Sequence, residues 1–448
     1  MSLIKQWSEK MKQRLEIKLL IIAGLILLLY IPIFMIQSLI DDRAQLQRSV
    51  QQDIAQSSSG EQQIIGPFIY AEYVKDIVTD GKVEKQSYAT VLLPESLNSS
   101  NNLATFVKHR GIYKALLYRS KNSMQGKFDL TSLSKLKDKR LVALNLVMSI
   151  KDARGINPGT TINLDGETRT LIPGTEVAKL PDGIHIELDY KTLMKRSTLG
   201  YDIMLNLQGM RKLSIAPVGK ETTVNMKADW PHPSFVGNYL PTDSTITDKG
   251  FAAKWQTNYF ATNLQDIFDN CIHNQNGSNC YKLRARNLGV NLSDGVNHYL
   301  KSYRASNYAL LVLVLVFASF FLLEVLCTAP IHPVQYGFVG LALAVFYLLL
   351  ISLSEHLGFN LSYLISAIAS SALLSTYVAG MLKNTKHGGA FLAGILFLYG
   401  LLYGLLSSED YALLMGSILV FVVLGLIMLL TRKVNWYTPK QEKLTITE

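Results

Sequence analysis

The chain has 448 residues, of which 49% are apolar, 17% charged and 10% aromatic, and its mean hydropathy is +0.19. Such a composition excludes a disordered chain, which is poor in apolar residues and rich in charge. The formal charge of +10 does not indicate nucleic-acid binding, because residues 41–303 carry 32 Lys and Arg against 26 Asp and Glu with no dense basic run.

The apolar residues are concentrated in runs, and about 20 of them cross a bilayer core as a helix. Six runs have that character: 19–36 without a charge, 308–327 with one (Glu324), then 336–353, 361–382, 390–406 and 411–430 separated by short polar breaks. An α+β membrane protein follows, with six transmembrane helices in a one-plus-five arrangement and an inserted domain at 37–303. Lys5, Lys10, Lys12, Arg14 and Lys18 precede the first run. Lys383 and Lys386 separate the fourth from the fifth, and Arg432, Lys433, Lys440 and Lys443 follow the sixth. The breaks holding Glu355-His356 and Glu409-Asp410 carry no Lys or Arg. Short cytoplasmic loops retain positive charge. Segments 1–18 and 431–448 are therefore expected in the cytoplasm, and the inserted domain in the periplasm of a bacterial inner membrane. The first run exceeds the roughly 7 to 15 residues of a signal-peptide core and lacks an A-x-A-like cleavage site, which favours an uncleaved anchor.

Within the inserted domain, Leu46, Val50 and Ile54 recur every four residues, the stripe of a helix that continues from the first span. Ser57-Ser58-Ser59-Gly60 ends it. At the far end Val296, Tyr299 and Leu300 form a second helical stem leading to Tyr308. Between the stems the period changes to two, as in Tyr201, Ile203, Leu205 and Leu207 or Leu144, Leu146, Met148 and Ile150. Further strands are expected at 64–74, 87–93, 161–171, 184–188 and 211–218. Asp80-Gly81, Asp165-Gly166 and Asp182-Gly183 supply turn residues, so the domain reads as mainly antiparallel β.

Three cysteines are too few for a disulfide framework, and none has zinc-site spacing with another Cys or His. Cys271 and Cys280 would close a short loop in an oxidising compartment; free thiols or a local metal site with His273 are the alternatives. No P-loop, H-E-x-x-H, G-x-S-x-G or G-x-G-x-x-G string occurs. The segments expected in the cytoplasm are too short for an ATPase or kinase domain. No catalytic residue, metal or cofactor is expected. Four ionisable residues lie in or beside the spans: Glu324, His332 between two prolines, and the Glu355-His356 turn. A carboxylate at Glu324 either serves protons or substrate inside the bundle or reaches headgroup water. Ser362, Ser366 and Ser370, and Gly400 with Gly404, have the spacing of helix-packing residues.

Specific strings run the length of the chain. They include Ile31-Pro32-Ile33 with Met35-Ile36, Ser59-Gly60 with Gly66-Pro67, Asp152-Ala153-Arg154-Gly155-Ile156, and Trp230-Pro231-His232-Pro233-Ser234-Phe235. Gly250-Phe251 with Trp255, Arg304-Ala305, His332-Pro333 with Gln335-Tyr336, Ser354-Glu355-His356, and Trp436-Tyr437 continue the series. In order and spread they resemble the CreD family. The resemblance implies a multi-pass inner membrane protein with a large periplasmic domain, tied to envelope integrity and stress tolerance, and it brings no catalytic residue. The Cys271–Cys280 segment departs from the family pattern. Trp230 and His232 sit on a turn stiffened by two prolines, which either closes a strand over the core or presents both rings to a ligand. Asp152 and Arg154 read as a turn pair or as ligand contacts. The expected function is non-enzymatic envelope maintenance, with the outer domain binding a protein or lipid of the envelope. The alternative is a permease using Glu324 and Glu355-His356. Beyond the lipid bilayer, neither a partner nor an oligomeric state is specified.

Overall fold

The computed structural model describes residues 2–79, 82–273, 280–292, 298–327, 331–407 and 412–432. The Asp80-Gly81 turn, the 274–279 segment, Val296, the Glu409-Asp410 break and the tail beyond residue 432 lie outside these. The chain forms two units: a helical one of residues 1–46 with 296–448, and a sheet one of residues 47–295.

The sheet unit contains β1 (Gln62–Thr79), β2 (Lys82–Leu92), β3 (Ser96–Arg110), β4 (Tyr113–Asp129), β5 (Arg140–Ile150), β6 (Thr161–Leu164), β7 (Glu167–Arg169) and β8 (Ile172–Pro173). It continues with β9 (Gly183–Glu187), β10 (Thr198–Met210), β11 (Lys212–Ile215), β12 (Glu221–Ala228), β13 (Pro233–Gly237), β14 (Asp243–Thr247), β15 (Gly250–Asn258) and β16 (Leu288–Leu292). One eight-stranded sheet has the order β13-β16-β11-β1-β5-β9-β8 with β2 also on β1; the other runs β14-β15-β12-β3-β4-β10-β6-β7. Pairing is antiparallel except for β1 with β11 and β3 with β12. Side chains of both sheets, among them Ile64, Phe68 and Val147 from the first and Leu97, Ile203 and Trp255 from the second, form one buried core. This is a sandwich.

The expected strand at 161–171 is a hairpin, β6 and β7, turning at Asp165-Gly166, where both residues have positive φ. β3 and β4 escape the alternation test for a physical reason. The inward positions of β3 are Leu97, Ser99, Asn101 and Leu103, so the middle of the stripe is polar. Ser99 bonds Asn101, which donates to the Asn225 carbonyl at 3.0 Å. Facing it, Asn122 donates to Ser120 and to the Leu205 carbonyl, both at 2.9 Å. Buried amides are tolerated because they are hydrogen-bonded.

Two cross-strand pairs clamp β4 to β10. Tyr201 faces Gly126 and Tyr118 faces Gly209 in the ladder. A Cβ on either glycine would lie 2.4 Å from the tyrosine oxygen, so each ring occupies the space a side chain would fill. The hydroxyls donate to the Ser96 carbonyl at 2.8 Å and the Lys212 carbonyl at 2.7 Å.

The remaining elements are helical: α1 (Ser2–Ser57), α2 (Tyr190–Leu193), α3 (Tyr259–Thr262), α4 (Leu264–His273), α5 (Cys280–Ala285), α6 (His298–Asn307), α7 (Ala309–Cys327), α8 (Pro333–Leu357), α9 (Phe359–Leu382), α10 (Thr385–Ser407) and α11 (Ala412–Thr431). α1 passes through Pro32 without ending. The expectation of six spans is corrected. Among the described residues four helices are long and apolar enough to cross a membrane: α1 from Ile17, α8, α9 and α10. A fifth is reached only if α6 and the Ala309–Phe321 part of α7, bent by 43°, count as one span. The sixth run forms α11, which does not qualify on its described residues. The bend falls where the second stem meets the apolar run that begins at Tyr308.

Within the helical unit Phe346, Tyr363 and Tyr399 interlock, with Tyr363 donating to the Tyr399 carbonyl at 2.7 Å. Ser362, Ser366 and Ser370 are buried, as a packing stripe requires. Gly400 and Gly404 make no close approach among the described residues: a Cβ on Gly400 meets nothing within 4 Å, and one on Gly404 meets the end of the Met415 side chain at 3.9 Å, an ordinary contact. That role falls to Gly340, against Leu29 and Phe317, and to Gly388, against Ala379.

Candidate functional site

The last turns of α1 belong to the sheet unit. Ile54 is buried against Ala115, Leu117 and Met210, with Val50 beside it, so these two members of the stripe lie on the outer face of β4 and β10, whereas Leu46, the third expected member, is exposed. A helix end leaves its last carbonyls without partners. Here Arg154 supplies donors to two of them, Ala55 at 3.4 Å and Gln56. Asp152 orients the guanidinium, accepting from Nε at 2.8 Å and Nη2 at 2.6 Å. The same carboxylate accepts from the Gly60 N–H at 2.9 Å. Gln62 bonds both backbone groups of Asp152, and Ser59 donates to the Gln208 carbonyl at 3.0 Å. A Cβ on Gly155 would sit 2.2 Å from the Gln208 oxygen, so only glycine fits there. The strings Ser59-Gly60 and Asp152-Ala153-Arg154-Gly155 thus form one network that fastens the end of α1 to the sandwich. The Arg154 guanidinium, with help from the Gly60 N–H, holds the Asp152 carboxyl below the usual aspartate value.

A cleft of about 750 Å³ opens beside this network. Arg48, Gln51, Gln52 and Ala55 line it from α1, Glu61 from the link to β1, Lys151, Asp152 and Arg154 from the end of β5, Asp182 from the turn before β9, and Met210 and Arg211 from the β10–β11 link. Sequence reasoning found Asp152 and Arg154 but missed Arg48 and Arg211. Both look like ordinary surface arginines until the fold brings α1 and the β10–β11 link to one place.

Trp230 and His232 are not among the residues lining this cleft. Trp230 is half-buried and packs on the core, with the exposed His232 ring edge-on at 6.3 Å. Cys271, in α4, and Cys280, in α5, lie with Cα atoms 4.6 Å apart and their sulfurs in bonding contact.

The four ionisable residues near the spans fall into separate places in the helical unit. Glu324 pairs with Lys18 of α1 and accepts from Tyr336 at 3.2 Å and from the Ile331 N–H at 3.4 Å. Lys18 also donates to the Ile331 carbonyl at 2.8 Å. This joins α1, α7 and the start of α8. His332 is the N-cap of α8: its ring accepts from the Val334 N–H and its own N–H donates to Gln335, with Pro333 opening the helix. Glu355 turns inward, accepting from Tyr299 at 3.1 Å with the Arg43 guanidinium 3.8 Å away, whereas His356 is exposed. The structure does not join Glu324 and the Glu355-His356 pair. They occur at opposite ends of α8: Glu324, at the end of α7, meets Tyr336 near its start, and Glu355-His356 stand in its last turn.

On α1 the paired residues Lys18 and Arg43 flank the stretch 19–40, which contains no charge. At 1.5 Å per residue those 22 residues span roughly 33 Å, close to a hydrocarbon core.

Comparison with known proteins identifies the family. The family profile described as inner membrane protein CreD matches residues 14–437. Inner membrane protein CreD of Escherichia coli (strain K12) is 35% identical over 434 residues, covering 95% of each chain. With its apolar helices, its inserted sheet unit and a match over nearly its whole length, this chain is a membrane protein that belongs to the CreD family.

Proposed function

We propose that the protein maintains the cell envelope from the bacterial inner membrane without catalysing a reaction: its helices anchor it, and its sheet unit lies in the periplasm and binds an envelope component. One observation carries the reading. The cleft gathers charged side chains from α1 and four sheet-unit links where the α1 end is rigidly fastened, and a concave surface with converging polar groups on a firm scaffold suits recognition. The distribution of Lys and Arg supports cytoplasmic termini. The experiment is in-cell photo-crosslinking from probes at Gln51 and Gln52, combined with reporter fusions after Thr431 and within the sheet unit. A specific adduct from the cleft, a cytoplasmic signal after Thr431 and a periplasmic one from the sheet unit are expected. Absence of any adduct, or turnover of an envelope lipid by the purified protein, would overturn the reading. The permease alternative gains no support from Glu324, since both of its oxygens are engaged by α1 and α8.

A further inference from the structure

The cleft contains more positive charge than its own pairs consume. Seven charged side chains line it. Lys151 pairs with Glu61 at 3.1 Å and Arg154 with Asp152. Arg48, Arg211 and Asp182 remain. Neither the Arg48 nor the Arg211 guanidinium has a hydrogen-bond or ion-pair partner among the described residues, and both are exposed.

Arg211 carries a second peculiarity. It is the single residue between β10 in one sheet and β11 in the other, where the chain crosses the sandwich. Its φ is +60°, a conformation that favours Gly or Asn and strains a longer side chain. Its backbone is held by the Leu116 carbonyl at 3.2 Å and the Leu292 N–H at 2.7 Å, contacts that glycine would make equally well. The backbone alone gives no reason for arginine. Strain of this kind persists where the side chain has work to do, and this side chain lines the cleft with Arg48.

We propose that the cleft binds a phosphate group between Arg48 and Arg211, with Asp182 accepting from a hydroxyl or ammonium of the same ligand. This deepens the binding reading above and rests on it. Guanidinium forks match phosphate oxygens geometrically and stay charged at every working pH. The already paired Arg154 and Lys151 form the fixed wall. A phospholipid headgroup and a soluble phosphate ester share this chemistry.

The test titrates full-length protein in detergent with two probes, dihexanoyl phosphatidylglycerol and glycerol 3-phosphate, by calorimetry. At least one probe binds the wild type, and Arg48→Gln and Arg211→Gly each weaken that binding by about tenfold or more. Arg211→Gly also separates binding from folding, because it relieves the positive φ: its thermal midpoint stays level or rises while binding falls. Binding of the lipid probe alone assigns a headgroup, and equal binding of both assigns the phosphate itself. Failure of both probes to bind, or wild-type binding in both variants, overturns the proposal. If the probes fail while the crosslinking probe at Gln51 still captures an adduct, the phosphate assignment falls and the binding reading stands. If both fail, both fall.

Discussion

At the scale of single residues, the Asp152–Arg154 pair shows how position changes the meaning of a charge pair. In the sequence it is two residues on a turn, which as a surface ion pair would contribute little. In the fold Arg154 donates to the last carbonyls of α1 while Asp152 receives the Gly60 N–H, so one pair serves three chain segments. The Asp152 carboxyl is held below its usual value of 3.8, first by Arg154. Its contribution to stability is therefore complete above that value and is lost as pH falls through the lowered one. Asp152→Asn is expected to lower the urea midpoint of the full chain at neutral pH, and the gap to the wild type should narrow as the medium is acidified below the usual aspartate value of 3.8. Unfolding followed by tryptophan fluorescence across that range checks this. A gap that does not change with pH would show that the carboxylate's charge is irrelevant to the network.

At the scale of elements, the strands that alternation reveals are those whose inner face is apolar throughout, such as β5 and β10. β3 and β4 are among the longest strands and carry the centre of the second sheet, yet Ser99, Asn101, Ser120 and Asn122 occupy their inner faces. Their signal is erased because the bonds that make burial acceptable come from neighbouring strands distant in sequence. The glycine–tyrosine pairs across β4 and β10 belong to the same scale. Gly209→Ala places a methyl group against the Tyr118 ring and hydroxyl, and overpacking of this type costs about 1 to 3 kcal/mol. Chemical denaturation of the full chain should register that loss. A replacement of Tyr118 by Ala should make the added methyl less costly than it is beside the ring, since the two share one space, with the Gln62 side chain, 2.8 Å from the methyl, as the remaining obstacle.

At the scale of the molecule, the helical unit is joined by polar contacts at both ends of the uncharged stretch of α1: Lys18 with Glu324, and Arg43 near Glu355. Breaking a shielded pair by removing one partner is costly because the other charge is left alone, on the order of 3 kcal/mol. Lys18→Glu or Glu324→Lys is accordingly expected to reduce thermal stability in detergent and the yield of inserted protein. The exchange of both charges should recover much of it. If the exchange is as poor as either single variant, the pair is not what joins these helices. If Glu324→Gln is as stable as the wild type, the carboxylate is not a staple and a role in transport returns to consideration.

The sequence alone determined the membrane character of the chain, the placement of a sheet domain after the first apolar helix, and the family, because apolar run length, period-two alternation and ordered strings are local properties. It also singled out Asp152 and Arg154. Only the tertiary structure decided the rest. Among the described residues four helices qualify as spans, or five if α6 and α7 count as one across their 43° bend, where the sequence has six apolar runs, and bonds from other strands concealed β3 and β4. The cleft exists because Arg48 and Arg211, 163 positions apart in number, are brought to one surface by α1 packing on β4 and by a left-handed step between two sheets. Long-range proximity of this kind depends on which faces pack together, and no local pattern of residues encodes it.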